Sequence, residues 1–306
     1  MNKQLIAEAV NELVTLRDVL RWGMTQFRKA DLYYGHGTDN AWDEALSLAL
    51  HVLSLPYDMN KDLLEARLTK QEKQEIIHLF IRRIEERVPA AYLTHKAYFA
   101  GLDFYVNEHV LIPRSPLAEV IESGFAPWVE IESVERVLEI GTGSGCIAIA
   151  IAEMFPGIQV DAVDISDEAL TVARKNVARY ALEEQLHLIK SDVYSALNQK
   201  KYDVIITNPP YVSESEFKTL PKEYTHEPKH ALLADAEGLD IVIKILRDAA
   251  EHLTEQGILI VEVGNSEETM MQRYPEIPFV WLEFERGGGG VFVLNREQLK
   301  EYQHVW

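Results

Sequence analysis

The sequence is poor in cysteine and in long apolar runs, and each shortage excludes a class of protein. Its 306 residues include one cysteine, Cys146, which excludes an internal disulfide and a cysteine metal cluster. The longest stretches without a formal charge, Ala45–Tyr57 and Ile140–Ala152, contain 13 residues each. A membrane-spanning helix needs about 20 apolar residues. Because the first residues also lack the pattern of a secretory signal, we expect a cytoplasmic protein without a membrane span or a bound metal.

Basic residues are also in short supply relative to acidic ones. The 30 Lys and Arg residues and 49 Asp and Glu residues give a formal net charge of −19 at pH 7. A surface of that sign repels nucleic-acid phosphates and attracts basic polypeptides. Apolar residues make up 47% of the chain and charged residues 26%, which is typical of a folded globular protein. The composition therefore favours a basic protein as partner over a nucleic acid.

Residues 1–92 are predicted to form a small helical domain. Apolar residues recur at helical spacing and are expected on one face: Leu5, Ile6, Ala9, Val10, Leu13, Leu16, Val19 and Leu20. A second helix is predicted over Trp42–Leu53. Thr69 and Glu72 form a capping-box pattern that opens a further helix, which ends near Pro89.

The remainder of the chain is predicted to form a hairpin linker and an α/β domain. Residues 93–116 surround Gly101 with apolar and aromatic side chains and end in prolines, which predicts a β-hairpin. Its core is expected to contain Tyr98, Phe99, Phe104 and Tyr105. Over residues 117–306, apolar runs alternate with helical segments, as in a domain with a parallel sheet. The strands are predicted at Arg136–Ile140, Gln159–Val163, Leu186–Ile189, Tyr202–Thr207, Ile258–Val263, Phe279–Phe284 and Gly290–Leu294, with helices at Cys146–Phe155, Asp167–Tyr180 and Leu239–Leu253.

A glycine-rich turn follows the first strand of the α/β domain. It reads Glu139-Ile140-Gly141-Thr142-Gly143-Ser144-Gly145. Glycines are needed where the turn is tight and a ligand approaches the backbone without a Cβ in the way. The spacing Gly-x-Gly-x-Gly differs from the dinucleotide fingerprint, and such a loop alone also fits a plain strand-to-helix turn.

Two aspartates at the ends of the next two strands make the glycine loop more informative. Asp164 lies 23 residues after Gly141, where a carboxylate can accept hydrogen bonds from a ribose diol. Asp192 follows the third strand and is a candidate acceptor for the exocyclic amine of adenine. Because parallel strands end at one edge of a sheet, the three features predict an adenosine pocket there.

The most specific feature is the tetrad Asn208-Pro209-Pro210-Tyr211, which follows an apolar strand. Two prolines remove two backbone donors, so this segment presents carbonyls that only accept, and Asn208 adds a side-chain acceptor. Tyr211 is expected to supply a flat apolar face. Such a site suits a planar NH₂ group, whose hydrogens meet acceptors while its nitrogen faces a reactant. Because these hydrogen bonds strengthen as the nitrogen becomes positive, the tetrad is predicted to stabilise the transition state of NH₂ methylation.

The glycine loop, the two aspartates and the tetrad together resemble S-adenosylmethionine-dependent methyltransferases that modify NH₂ groups. With its predicted helices and hairpin, the whole chain is similar to the HemK-type protein-(glutamine-N5) methyltransferases. The resemblance implies a helical substrate-recognition domain, a hairpin linker and a seven-stranded, Rossmann-like class I methyltransferase domain. It assigns catalysis to the tetrad and S-adenosylmethionine binding to Glu139, Gly141, Thr142, Gly143, Gly145, Asp164, Ile165, Asp192, Val193 and Asn208.

Segments outside these motifs separate two branches of the family. The branch acting on peptide-chain release factors has Pro-Arg-Pro-x-Thr-Glu after the hairpin, whereas this chain has Pro113-Arg114-Ser115-Pro116-Leu117-Ala118-Glu119. The segments Tyr34–Asn40, Ile112–Pro116 and Trp281–Phe284 resemble the branch that methylates a large-subunit ribosomal protein, uL3. The resemblance thus implies a basic ribosomal protein as substrate, in agreement with the acidic composition. Methylation of release factors is the alternative within the family.

Other functions agree less well with the same residues. DNA adenine-N6 methylation shares such tetrads but needs a basic groove, whereas this chain has only short clusters such as Lys200-Lys201, so no DNA binding is expected. A non-enzymatic cofactor sensor would be expected to have lost a loop glycine or Asn208, and an NAD dehydrogenase leaves the tetrad unexplained. Methylation of a protein amide therefore agrees best with the sequence.

Three further features have an apparent chemical use. Cys146 opens an apolar helix with no obvious histidine partner, so we expect it to pack in the core. His226 and His230 lack further metal ligands at fixed spacing, and their loop is interpreted as one that folds over the substrate, with a purely structural role as the alternative. The run Gly287–Gly290 lacks the Lys-Ser/Thr of a phosphate loop and predicts a flexible hairpin turn.

Overall fold

A computed structural model describes residues 2–235 and 238–306. The chain divides into two compact units. The helical unit comprises Met1–Lys96 and Pro221–His226, and the sheet unit comprises Ala97–Leu220 and Glu227–Trp306. Within the described residues, none of the helices combines the length and apolar character that crossing a membrane would require.

Short amphipathic helices build the helical unit around a core of its own. Their bounds are α1 Lys3–Glu12, α2 Leu16–Lys29, α3 Ala41–Leu53, α4 Lys70–Glu86 and α5 Ala90–Thr94, with a 3₁₀ turn at Lys61–Glu65. The helix predicted from Trp42 to Leu53 is confirmed as α3. The predicted capping box is also confirmed, because Thr69 N donates to Glu72 Oε2 at 2.7 Å and Glu72 N donates to Thr69 Oγ1 at 3.2 Å.

The spacing of the apolar residues from Leu5 to Leu20 suggested one continuous helix, but the structure forms two helices over this stretch. The chain leaves helical geometry after α1, and a new capping box begins α2. Thr15 Oγ1 accepts from Asp18 N at 3.1 Å, and Asp18 Oδ2 accepts from Thr15 N at 3.0 Å. The break arises because these side chains satisfy backbone groups that a continuous helix would use internally.

The inserted segment Pro221–His226 joins the helical unit through a buried ion network. Arg83, 1% exposed, donates from Nη1 to Glu223 Oε1 at 3.1 Å and from Nε to Glu44 Oε1 at 2.5 Å. Tyr33 N also donates to Glu223 Oε1 at 3.2 Å. Burial alone would raise the pKa of Glu223, but hydrogen bonding and attraction from Arg83 bring the pKa below its ordinary value. The network therefore keeps the Glu223 carboxylate charged within the helical unit.

Replacing Arg83 by leucine should strongly destabilise the helical unit. Arg83→Leu leaves Glu44 buried without its cation and Glu223 with the longer ion pair to Arg87 Nη1 at 3.4 Å, and breaking a buried pair from one side costs about 3–5 kcal/mol. The measurement is the free energy of unfolding from urea denaturation. Arg82→Leu is the matched control: Arg82 is a partly exposed neighbour paired with Glu86, and its loss should cost less than about 1 kcal/mol. Equal effects of the two substitutions would contradict the assigned role of Arg83.

The sheet unit alternates strands and helices and opens with a β-hairpin. Its elements are β1 Lys96–Phe99, β2 Leu102–Tyr105, α6 Leu117–Glu122, β3 Arg136–Ile140, α7 Cys146–Met154, β4 Gln159–Asp164, α8 Asp167–Arg179, β5 Leu186–Lys190, β6 Tyr202–Thr207, α9 Glu214–Phe217, α10 Asp240–His252, β7 Leu253–Glu262, α11 Glu267–Arg273, β8 Val280–Trp281, β9 Val291–Asn295 and α12 Arg296–Glu301. Strand β1 begins at the last residue of the helical unit.

The predicted seven-stranded α/β fold is confirmed. The strand order is β5-β4-β3-β6-β7-β9-β8. Strands β3 to β7 pair in parallel, whereas β9 pairs antiparallel with both β7 and β8. Strand β3 has β4 on one side and β6 on the other, so the order reverses there, and open α/β sheets bind ligands at the carboxyl ends of strands beside such a reversal.

Two local predictions differ from the structure. Only Val280–Trp281 pairs as a strand within the predicted Phe279–Phe284. The ring centroid of Phe279 lies 4.8 Å from that of Phe292, so Phe279 packs against the core and does not extend the strand. In the hairpin, Phe99 and Phe104 are buried as expected, but Tyr98 is 52% exposed and does not belong to the core.

Candidate functional site

A cavity of about 640 Å³ lies within the sheet unit, at the carboxyl ends of the parallel strands. Its walls come from the segments that follow β3, β4, β5 and β6, and its volume is typical of a small-molecule site. The site residues predicted from the sequence that line it are Glu139, Gly141, Thr142, Gly143, Asp164, Ile165, Asp192, Val193, Asn208, Pro209 and Pro210. Among the described residues, Gly145 and Tyr211 are not part of this lining.

The glycine loop joins β3 to α7 with positive φ at Gly141, Gly143 and Gly145. At Gly145 a Cβ would lie 3.3 Å from Ile149 Cδ1 and 3.4 Å from Ala173 Cβ. This glycine therefore allows α7 and α8 to pack closely, which explains its place behind the cavity wall. Gly141 and Gly143 present backbone directly to the cavity.

Glu139 forms hydrogen bonds with the glycine loop and with the start of α7. Its carboxylate, 1% exposed, accepts from Thr142 Oγ1 at 2.5 Å and from Ala148 N at 3.0 Å. Burial raises the pKa of Glu139 to about 8, although these two hydrogen bonds lower it. Through Oε2, the buried Glu139 carboxyl group thus orders the start of α7.

Asp164 connects the end of β4 to the same loop. Its Oδ2 accepts from Gly143 N at 2.9 Å, and its Oδ1 accepts from Ser166 N at 2.9 Å. Each carboxylate oxygen has lone pairs for more than one hydrogen bond. Asp164 can therefore fix the loop and still accept from ligand hydroxyl groups.

The segment after β5 supplies a charged and an apolar part of the cavity wall. Asp192 Oδ2 accepts from Lys244 Nζ at 2.6 Å, and both side chains are about half exposed. Val193 has φ 53°, an unusual conformation for a β-branched residue, and its side chain is buried. Ile165 is 58% exposed, so it offers apolar surface on which a flat ligand ring can lie.

The tetrad begins where β6 ends, directly beside the glycine loop. Thr207 pairs with Ile140 in the parallel register, and Thr207 Oγ1 donates to Ile140 O at 2.8 Å. The three tetrad residues that line the cavity are Asn208, which is partly exposed, Pro209, which is buried, and Pro210. The structure thus places three tetrad residues in the same cavity as the glycine loop.

Tyr211 turns away from this cavity, contrary to the expectation that its ring faces the amide. Its hydroxyl donates to Glu262 Oε1 at 3.2 Å, and its carbonyl accepts from Ser266 Oγ at 3.0 Å. Only glycine fits at Gly264, because a Cβ there would lie 2.6 Å from the Tyr211 ring. Tyr211 instead lines a neighbouring groove together with Glu262 and Arg114.

Within the segment Ile112–Pro116, Arg114 has a structural role at the cavity wall. Its guanidinium forms two hydrogen bonds with the buried Glu227 carboxylate, from Nη1 to Oε1 at 2.6 Å and from Nη2 to Oε2 at 2.7 Å. Ile112 N donates to the same carboxylate at 3.0 Å. Because Arg114 lines the cavity, this pair fixes the wall at the point where the chain returns to the sheet unit.

The remaining candidate residues play different parts. Cys146 is partly buried against the core and also lines the cavity, and burial raises the pKa of its thiol to about 12, so the nucleophilic thiolate is not formed near neutral pH. His230 lines the cavity, whereas His226 Nε2 lies 2.8 Å from Glu86 O in the helical unit. The run Gly287–Gly290 lies between β8 and β9, which pair antiparallel.

Sequence reasoning missed two acidic residues at the site. Glu262 ends β7, and burial raises its pKa to about 7. Asp240 opens α10 and lines the cavity, and its buried Oδ1 has no hydrogen-bond partner among the described residues. For Glu262 a sequence signal was available, because Glu262 is an acidic residue at the end of an apolar strand, as Asp164 is.

Known proteins resemble the chain over nearly its whole length. A ribosomal protein uL3 glutamine methyltransferase from Xanthomonas campestris is 48% identical over 96% of this chain and 96% of its own length. A protein of the same name from Neisseria meningitidis is 48% identical over 95% of this chain and 96% of its own. The model of the methyltransferase small domain matches residues 126–276. Among solved structures, a methyltransferase from Pyrococcus furiosus has 21% identity and a TM-score of 0.46, covering 64% of this chain and 89% of that one.

The buried Glu139 should make stability depend on pH. Its folded pKa of about 8 exceeds the ordinary value of an unfolded glutamate, so the folded state binds more protons between those values and becomes less stable as pH rises. Glu139→Gln keeps an acceptor for Ala148 N but cannot ionise. From pH 5 to 8, the stability of the variant should rise relative to wild type by on the order of 3 kcal/mol.

Urea denaturation at several pH values measures this difference. Glu135→Gln is the control, because Glu135 is exposed beside the other end of β3, and this substitution should not reproduce the stability change of Glu139→Gln. A difference for Glu139→Gln that is equally flat would contradict a raised pKa at Glu139.

Proposed function

We propose, because the chain belongs to the ribosomal protein uL3 glutamine methyltransferase family, that it transfers a methyl group to a glutamine side-chain amide nitrogen of uL3. The observation that carries this proposal is the presence of the glycine loop and three tetrad residues in one cavity of about 640 Å³. A methyl donor and an acceptor amide must meet in one place for direct transfer.

S-adenosylmethionine is the methyl donor of this family, and the residues around the cavity fit it. Its ribose hydroxyls, its amines and its positive sulfur call for acceptors and negative charge, and Asp164, Asp192 and Asp240 all line the cavity. We assign the ribose to Asp164 and the adenine amine to Asp192. The backbone of Gly141 and Gly143 allows close approach, and Ile165 offers apolar surface.

The protein's own residues hold and polarise the glutamine amide during the reaction. When bound, S-adenosylmethionine supplies an electrophilic methyl carbon and leaves as a neutral thioether. The amide nitrogen is a weak nucleophile because its lone pair is delocalised into the carbonyl. Asn208 and the carbonyls beside Pro209 and Pro210 accept the amide hydrogens, and these hydrogen bonds strengthen as the nitrogen gains positive charge. The surplus proton leaves to water after the N–C bond has formed.

Charge and organisation support a basic protein substrate. The net charge of −19 attracts a basic ribosomal protein and disfavours direct DNA binding. We propose that residues 1–92 recognise the substrate protein, that residues 93–116 link the two parts, and that residues 117–306 carry out the transfer. Because the proposed substrate is a ribosomal protein, we also propose a cytoplasmic location and no role at a membrane.

Removing the Asn208 acceptor should affect turnover and leave cofactor binding almost intact. Asn208→Ala deletes a hydrogen bond that matters most in the transition state, so kcat should fall by about 10²–10³-fold. Calorimetric titration with S-adenosylmethionine should give a dissociation constant close to that of wild type. Unchanged turnover in this variant would disprove the role of the tetrad as an amide clamp.

The choice of substrate has a direct test. Purified enzyme and S-adenosylmethionine with a labelled methyl group are incubated separately with uL3, with a peptide-chain release factor and with DNA. Label should enter uL3, at a glutamine identified by mass spectrometry of its peptides. Label in the release factor or in DNA, with none in uL3, would refute the proposed substrate.

A further inference from the structure

The carboxylate of Glu262 is a meeting point for the tetrad and the segment after the hairpin. Glu262 is 4% exposed and ends β7. Tyr211 OH donates to its Oε1 at 3.2 Å, and the Ser115 hydroxyl donates to its Oε2. Asn208 lies close enough to this carboxylate for hydrogen bonding from its side chain to lower the pKa of Glu262. Two tetrad residues therefore lie beside one buried acid.

The sheet register explains why Glu262 lies beside the tetrad. Strand β7 pairs in parallel with β6, with Val261 opposite Thr207. The residues that follow this pair, Glu262 and Asn208, therefore leave the sheet at the same edge. Their proximity is a consequence of strand pairing and does not depend on the conformation of a long loop.

The donors around Glu262 are arranged for a charged acceptor. Ser115 Oγ accepts from Leu117 N at 3.1 Å, which leaves the single hydroxyl proton of Ser115 for Glu262. Arg114 is the positive charge that acts on the carboxylate. A buried carboxylate costs free energy, and an apolar side chain would fill this position more cheaply. Such costly groups occur preferentially at functional sites.

An asparagine amide has an acceptor at one end and a donor at the other, and only its surroundings decide which end faces a ligand. A carboxylate can accept the Asn208 NH₂ group but cannot donate to the Asn208 oxygen. If the NH₂ group points towards Glu262, the oxygen is presented on the opposite side. The clamp proposed above needs that oxygen to face the substrate amide.

We propose that Glu262 is a positioning residue, which fixes the orientation of the Asn208 amide so that its oxygen faces the glutamine NH₂ group. This inference rests on the proposed function and extends it to a residue outside the tetrad. Ser115 and Tyr211 hold the carboxylate in place, so the segment after the hairpin contributes to the geometry of the clamp.

The test replaces Glu262 by its neutral isostere. Glu262→Gln no longer offers an acceptor to every donor around it, so the Asn208 amide loses its fixed orientation. On methylation of uL3, kcat should fall at least tenfold, while the dissociation constant of S-adenosylmethionine stays within about twofold of wild type. Glu255→Gln is the control, because Glu255 is exposed on the same strand, far from the tetrad, and its kcat should equal that of wild type.

A double variant separates positioning from a general structural effect. If Glu262 acts through Asn208, then Asn208→Ala with Glu262→Gln should be no slower than Asn208→Ala alone. Multiplied losses in the double variant, or wild-type kcat in Glu262→Gln, would overturn the inference. Failure of the wild-type enzyme to methylate uL3 would instead refute the proposed function, and the ratio of variant to wild type would then be measured on the glutamine protein that accepts the label.

Turnover should also depend on the ionisation of Glu262. Because the pKa of Glu262 is about 7 and Arg114 stays charged throughout, kcat of wild type should rise as pH increases through 7, and this rise should be absent in Glu262→Gln.

Ser115→Ala is a second variant in case Glu262→Gln does not fold. It removes one donor to the carboxylate and should reduce kcat by several-fold without weakening cofactor binding. Wild-type kcat in Ser115→Ala would then overturn the inference.

Discussion

The parallel pairing of β3 with β6 is the constraint on which the site depends. The glycine loop begins after Ile140 and the tetrad after Thr207, and these two residues are register partners joined by a hydrogen bond of 2.8 Å. Segments 67 positions apart in the sequence thereby leave the sheet side by side. Transfer between two bound molecules requires reacting atoms close together and aligned, and strand pairing sets that closeness more rigidly than a loop would.

Acidic side chains at the strand ends support this arrangement from behind. Glu139, Asp164 and Glu262 accept hydrogen bonds from the loops that follow or adjoin their strands. Glu139 and Glu262 have no direct ion pair among the described residues, and burial raises their pKa values. Glu223, which has Arg83 against it, has a lowered pKa. Within the described part of the chain, two buried acids near the cavity therefore have no ion pair of their own, whereas the buried Glu223 of the helical unit has one.

Much of the sheet could be predicted because buried parallel strands are short apolar runs bounded by turn signals. Strands β3 and β6 have the predicted limits, and most residues of the glycine loop and of the tetrad line one cavity. The break between α1 and α2 was missed because periodicity alone does not register a capping box at Thr15 and Asp18. The signal for it was the same as the one used correctly at Thr69.

Other features depend on pairings that local spacing does not contain. Arg83 and Glu223 are 140 residues apart in sequence, and each is of a residue type usually found at the surface. Tyr211 was expected to supply a flat apolar face for the amide, but it does not line the cavity, and its hydroxyl donates to Glu262 at the end of β7. The long-range partner of a single polar group can be identified only in the folded structure.

The insertion of Pro221–His226 into the helical unit has a consequence for how the protein can be divided. The polypeptide passes between the two units three times, at residues 96–97, 220–221 and 226–227. A cut after Lys96 would leave the amino-terminal fragment with Arg83 and Glu44 but without Glu223, and the other fragment with an orphaned acid. The two units are separate in packing yet interlaced in sequence, so neither is a fragment that simple truncation would release intact.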